Sequence, residues 1–276
     1  MMTINTNVPS MFGAHALGRS NNALNTNFER LSTGLRINRA ADDAAGLGVS
    51  EALKAEIRGM QQAMRNTNDG ISMIQTAEGS LNEVQAIIQR LRELAVQAAS
   101  DTLDNAERQY IETEKNQLVG EIDRLANTAN FNGVSLLTTT SNTTIQVQVG
   151  AGNTANDQVT ITLDSALSSD LGIDTGTLDF TTAAAASTGI GLLDTALASV
   201  SEDRSALGAV QNRLQSTLNA LSNAVENLSA ANSQIRDADI AAETADMSRN
   251  QVLQQAGISV LAQANQAPQN LLKLLG

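Results

Sequence analysis

Apolar side chains recur through residues 50–99 at Leu53, Ile57, Met60, Met64, Ile71, Ile74, Ala77, Leu81, Val84, Ile88, Leu91, Ala95 and Ala98. The steps are threes and fours, with one seven where Thr67 takes the turn of an apolar residue. Their mean is close to the roughly 3.5 residues that hold an apolar seam on one side of a supercoiled helix. No proline interrupts the run, so the spacing predicts one rod-like helix of roughly 70 Å at about 1.5 Å per residue. A seam that long cannot be buried against itself and requires partner helices. A second seam of nearly the same length starts at Leu193 and continues through Leu197, Val200, Leu207, Val210, Leu214, Leu218, Leu221, Val225, Leu228 and Ile235.

Shorter helices flank these two. After Pro9, helical spacing from Ala14 through Leu17, Leu24, Phe28 and Leu31 predicts a helix ending near Thr33-Gly34, where glycine can take the left-handed closing conformation. The Ala-, Gly- and Asp-rich stretch from Leu35 to Ser50 reads as a connector. Asp104 and Glu107 have the spacing of a capping box and open a helix that carries Ile111, Leu118, Ile122 and Leu125 to about Ala129. Phe131-Asn132-Gly133 is turn chemistry. The period then drops to two in Thr144–Val149 and Gln158–Leu163, which flank Gly150-Ala151-Gly152-Asn153 and predict a β-hairpin at about 143–164. Residues 165–190, rich in Ser, Thr, Gly and Ala, read as a short loop or small cap. A last helix spans about 239–267 before Pro268.

The predicted fold is mainly α: an elongated antiparallel coiled-coil or helical-bundle rod with a small β-hairpin. The two seams bury each other with the third helix beside them, and the N- and C-terminal helices pair at one end.

Composition narrows the function. The chain is 42% hydrophobic but 2% aromatic, which suits Leu/Ile/Val/Ala seams better than a core with aromatic anchors. A formal charge of −12 argues against nucleic acid as a partner, because phosphate binding needs a basic face. With no cysteine there are no disulfides, thiolate metal sites or Cys nucleophiles. Residues 1–7 lack the basic start and apolar core of a secretory signal. No run approaches the roughly 18 consecutive apolar residues of a membrane span. Taken alone, these facts point to the cytosol.

Catalysis has no foothold. His15 has no nucleophile or carboxylate arranged around it, and no HExxH, GxSxG or P-loop spacing occurs. Asp42-Asp43 and Asp237-Ala238-Asp239 lack calcium-loop spacing and read as helix caps, so no catalytic, cofactor or metal site is expected. The charged run Arg90-Leu91-Arg92-Glu93 reads as a solvated helix face, and Met60 and Met64 as seam fillers. The ends, dense in Ala, Gln and Asn, suit segments that order when copies associate. The physical reading is a self-assembling helical structural protein.

Several stretches are more specific than any coiled coil requires. Ile4-Asn5-Thr6-Asn7, Arg30–Asn38, Asp42–Leu47, Asn68–Gly79, Leu207–Leu214, Met247–Gly257 and Leu261–Gln269 resemble bacterial flagellin, over about 1–137 and 190–276. The strong Gln-Ala-Asn-Gln-Ala-Pro-Gln run at 263–269 disfavours the related hook–filament junction protein. A secreted coiled-coil adhesin would explain the seams but not the paired terminal motifs.

The resemblance implies a filament subunit of the extracellular flagellum, exported unfolded through the flagellar type III apparatus, which reverses the cytosolic reading. It implies an inner coiled-coil domain from residues 1–45 plus 236–276, disordered in the monomer and ordered in the filament. A rod domain covers 46–235. The short loop at about 165–190 stands where many relatives insert outer variable domains. Leu17, Leu24, Phe28, Leu31, Ile258 and Leu261 would build the filament core. Leu271, Leu272, Leu274 and Leu275 would engage an export chaperone. Gln89, Arg90, Leu91, Arg92, Glu93, Leu94, Ala95 and Val96, with Glu114, resemble the segment contacted by neighbouring subunits and by the host Toll-like receptor for flagellin. Further partners implied are the chain itself, as a helical homopolymer, and the filament cap and hook-associated proteins.

Overall fold

The computed structural model describes residues 6–138 and 143–275, with backbone alone for 143 and 267–275. Among them run the helices α1 (Val8–Thr33), α2 (Ala44–Ala98), α3 (Asn105–Thr128), α4 (Ala183–Arg236) and α5 (Ile240–Leu275). Strands β1 (Asn130–Phe131) and β2 (Val134–Ser135) form one antiparallel pair, and β3 (Thr143–Gln148) and β4 (Gln158–Leu163) another. The chain divides into two compact units: residues 58–225, and residues 1–57 together with 226–276.

In the central unit, α2 buries Ala63, Thr67, Gly70, Ile74, Ala77, Leu81, Val84, Ile88, Leu91, Ala95 and Ala98, alternating steps of four and three. This is a regular heptad seam. It departs from the predicted one at two points, where Ala63 and Gly70 face inward in place of Met64 and Ile71, which are half-buried. The reason is the hairpin. Val147 of β3 lies 3.2 Å from where a Cβ on Gly70 would sit, so a side chain there would have to push Val147 aside. Thr67 is tolerated because its hydroxyl donates to the Ala63 carbonyl at 2.7 Å.

α4 lies antiparallel to this part of α2: Arg92 reaches Asp194, Arg204 reaches Gln85, and Leu214 lies beside Gly70. Its own seam buries Leu193, Ala196, Val200, Leu207, Leu214 and Leu221. By length and composition α4 could cross a membrane, with mean hydropathy 1.3 over its most apolar window, but its bulky seam residues pack in the protein core. α3 completes the bundle through Ile111, Val119, Ile122 and Ala126. The capping box is present as predicted: the Glu107 amide donates to Asp104 Oδ1 at 2.7 Å and the Asp104 amide to Glu107 Oε2 at 3.1 Å. Arg108, nearly buried, donates to the Ala98 and Ser100 carbonyls and so closes the end of α2. The turn between β1 and β2 is Asn132-Gly133, at φ 49° and 81°.

The stretch read as a loop at about 165–190 is shorter and better packed than predicted. α4 starts at Ala183, and residues 164–182 bury Ala166, Ile173, Leu178 and Phe180 on the core. Lys115, fully buried on α3, holds this segment down. Its Nζ donates to Glu112 Oε1 and to the Leu178 carbonyl, both at 2.6 Å, and lies 5.9 Å over the Phe180 ring. Glu112 Oε2 in turn accepts from the Phe180 amide at 3.0 Å. Asp123 accepts from the amide and hydroxyl of Ser168 in the same way.

The other unit holds both ends of the chain. α1 and α5 run antiparallel, with Asn7, Ser20 and Asn27 meeting Ala264, Asn250 and Glu243 in turn. At their turn, Leu35 and Asp237 form an antiparallel bridge, and the Ala238 amide donates to the Gly34 carbonyl at 2.9 Å. Gly34 closes α1 in the left-handed conformation at φ 71°. A Cβ on Gly46 would fall 2.8 Å from buried Ile37, so the first turn of α2 can approach only as glycine.

Helix starts are the main departure from prediction. α1 begins at Val8, with Pro9 inside its first turn, not at Ala14. α2 begins at Ala44 rather than Ser50, and α4 at Ala183 rather than Leu193. Alanine favours helix strongly but adds little to an apolar pattern. α5 carries through Pro268 to Leu275 rather than stopping near Ala267.

Candidate assembly and contact surfaces

Several amide side chains bridge α1 and α5, beside apolar contacts of Leu17 with Gly257 and of Leu261 with Gly13. Asn27, only 7% exposed, donates to Glu243 Oε2 at 2.7 Å and accepts from Asn250 Nδ2 at 3.2 Å. Gln254 donates to Asn21 at 2.6 Å, Ser10 to Asn265 at 2.9 Å, and Arg30 pairs with Glu243 at 2.9 Å. Leu24 and Asn27 are the buried residues of α1.

The six residues predicted to build a filament core separate accordingly. Leu24 is buried, Leu17, Leu31 and Leu261 are half-buried, and Phe28 and Ile258 are exposed, at 52% and 54%. Sequence spacing did not single out Met11, Phe12, Val252, Leu253 and Val260, which are also exposed, Phe12 at 73%. Leu271, Leu272, Leu274 and Leu275 lie in the last turns of α5, and their side chains fall outside the described residues.

The second surface lies on the C-terminal half of α2. Of the eight residues predicted at 89–96, the structure removes three. Leu91, Leu94 and Ala95 are buried in the core because the heptad seam turns them inward, so no partner can touch them. Gln89, Arg90, Arg92, Glu93 and Val96 remain exposed. Glu114 joins them from α3: Arg90 Nη2 reaches it at 2.9 Å and Arg90 Nη1 reaches Glu93 at 3.0 Å. Sequence reasoning missed Asp194, which accepts from Arg92 Nε at 2.6 Å. No local signal links residues 92 and 194, and only the α2–α4 packing joins them. The hydrogen bond from Arg92 holds the Asp194 carboxyl below the usual range. The patch is a ladder of paired charges, weak individually in water.

Elsewhere carboxylates accept from backbone amides, Asp42 in the connector before α2 and Asp43 and Asp239 near helix starts. Asp42 accepts from the amides of Arg39 and Asn38, which lower its pKa, and Asp43 accepts from the Gly46 amide at 2.8 Å. Asp239 accepts from the Ala241 and Ala242 amides at the start of α5. His15 is exposed on α1.

The family models for the bacterial flagellin N-terminal and C-terminal helical regions match residues 4–143 and 190–275. A flagellin of Halalkalibacterium halodurans is 47% identical over 99% of this chain and 100% of its own length. The flagellar filament 33 kDa core protein of Treponema phagedenis is 44% identical over 99% of this chain and 100% of its own. Among solved structures, Bacillus cereus flagellin superposes with TM-score 0.50 at 35% identity, over 61% of this chain and 94% of that one.

Proposed function

This chain belongs to the bacterial flagellin family, and from that premise we propose that it is the non-catalytic repeating subunit of an extracellular filament that drives swimming. One observation carries the reading: large apolar side chains on α1 and α5, including Phe12, Phe28, Leu253 and Ile258, are left exposed on several sides of the helix pair. In the filament, neighbouring copies cover these side chains, and the terminal unit becomes the inner coiled-coil shell. The contacts are heterologous and non-closing, as a filament requires. Before assembly the termini stay export-competent, and an export chaperone covers the leucine-rich end at 271–275. Growth then occurs beneath the filament cap, on hook-associated proteins.

The α2–α3 charge ladder around Arg90 and Glu114 has a second use in this reading. It contacts the neighbouring subunit in the filament and the Toll-like receptor of a host in the free monomer, so the two compete. Electron microscopy of the purified full-length chain after seeding tests the proposal. The expected result is a growing filament of flagellar diameter, with monomer active and stable filament silent in a receptor reporter cell. Absence of filaments removes the structural reading, and equal activity of the two forms removes the competition.

A further inference from the structure

Asparagine followed by glycine occurs once in the chain, at Asn132-Gly133. The pair makes the turn between β1 and β2, with both residues exposed and both in the left-handed region. Asparagine is thermolabile because the backbone nitrogen of the next residue can attack its carboxamide. Glycine favours that attack, since no Cβ shields its nitrogen.

What holds the two reacting groups decides whether they meet. Six described asparagines lie outside the helices: Asn7, Asn38, Asn130, Asn132, Asn153 and Asn156. In five of them one of the two groups is engaged. The carboxamides of Asn7 and Asn130 donate to the Ala264 and Thr128 carbonyls, at 2.9 and 3.0 Å. The amides that follow Asn38 and Asn153 donate to the carboxylates of Asp42 and Asp157, at 2.9 and 3.0 Å. The amide that follows Asn156 donates to the Thr154 carbonyl at 3.0 Å. At Asn132, among the described residues, nothing hydrogen-bonds the carboxamide or the Gly133 amide. A Cβ placed on Gly133 would meet nothing within 4 Å, so the turn is also uncovered. β1 and β2 have two residues each, and a ladder that short opens at little cost.

We propose that Asn132 is a site of spontaneous modification, at which the chain converts its own asparagine to aspartate and isoaspartate. The Gly133 nitrogen, its proton taken by hydroxide, attacks Asn132 Cγ. The N–Cγ bond forms, the Cγ–Nδ2 bond breaks, and Nδ2 leaves as ammonia with a proton from water, which regenerates hydroxide. Water then opens the cyclic imide at either carbonyl. Opening at Cγ gives aspartate, and opening at the main-chain carbonyl of residue 132 reroutes the chain through Cγ as isoaspartate. Either product adds a negative charge. Isoaspartate also puts an extra carbon into a two-residue turn, which breaks the pairing of Phe131 with Val134. The disturbance stops at the Leu136 amide, which donates to the Ala129 carbonyl at 2.9 Å between two buried residues.

The test incubates the full-length chain at mildly alkaline pH, folded and in urea, and maps its peptides by mass. Each conversion adds about 1 Da. In the folded chain the gain at Asn132 should exceed that at Asn153 and Asn156 by tenfold or more. In urea, where the amides after Asn153 and Asn156 lose their acceptors, that lead should shrink severalfold. A methyltransferase specific for isoaspartate should label the same peptide. Asn132→Gln, whose cyclisation needs a larger and slower-forming ring, should lose both the mass gain and the label. A gain at Asn132 no faster than at Asn153 or Asn156, or a lead unchanged in urea, would overturn the proposal.

Discussion

The terminal unit and the central unit both use antiparallel helices, yet they are held together by opposite means. In the central unit, Ile74, Leu81, Val84, Ile88 and Leu91 are essentially inaccessible to water and meet α3, α4 and the hairpin in one continuous cluster. In the terminal unit, α1 and α5 meet through Asn21, Asn27, Asn250 and Gln254, while Phe12 and Ile258 face out. Apolar burial stabilises by roughly 25 cal/mol per Å², whereas a net hydrogen bond contributes about 1 kcal/mol. A pair with this composition is weak alone and has apolar area in reserve for neighbours. The difference is one of where apolar surface goes: one unit buries its large side chains in its own core, and the other leaves Phe12 and Ile258 exposed.

That contrast can be broken by substitution. The largest effect should come from Ile88→Ala, which opens a cavity in the dry seam and costs ~2–5 kcal/mol. Urea unfolding of the central unit should register it, while hydrogen exchange in α1 and α5 stays unchanged. Equal loosening of both units would mean that they are not separately stabilised.

Lys115→Ala should cost ~2–3 kcal/mol, less than the ~3–5 of a fully buried pair because Glu112 keeps 20% of its side chain exposed. It should release residues 174–181 to proteolysis, and Lys115→Met should restore packing only in part, since the Leu178 carbonyl loses its donor. Protease resistance equal to wild type in Lys115→Ala would show that apolar burial alone holds the segment.

The smallest effect is expected from Asn27→Ala, at about 1 kcal/mol. It should appear as faster amide exchange along α1, with no change in the unfolding midpoint of the central unit. A shift of that midpoint would break the comparison from the other side.

Some of this was legible in the residues. The capping box at Asp104 and Glu107, the left-handed closure at Gly34 and the Asn132-Gly133 turn are local, since each is settled within a few residues. The two seams and the β3–β4 hairpin follow from period alone, because burying one face imposes 3.5 or 2 on the chain. The helix starts at Ala44 and Ala183 were not legible. Alanine carries helical preference without an apolar signal, and the helix is then completed by what packs against it.

The surface patch divides in the same manner. The resemblance covers residues 89–96 as one stretch, yet a helix cannot present eight consecutive residues to one side. Position in the heptad turned Leu91, Leu94 and Ala95 inward and left Arg90, Arg92 and Val96 outside.

By itself the sequence determined the periods, the caps, the turns and the family, all of which depend on residues close together or on their order. Only the tertiary structure decided which charges meet. It paired Arg92 with Asp194 and buried Lys115 beneath residues 175–180. Those pairings depend on the register between α2, α3, α4 and the chain after β4. That register is chosen by the packing of the whole core, and no short stretch of sequence contains it.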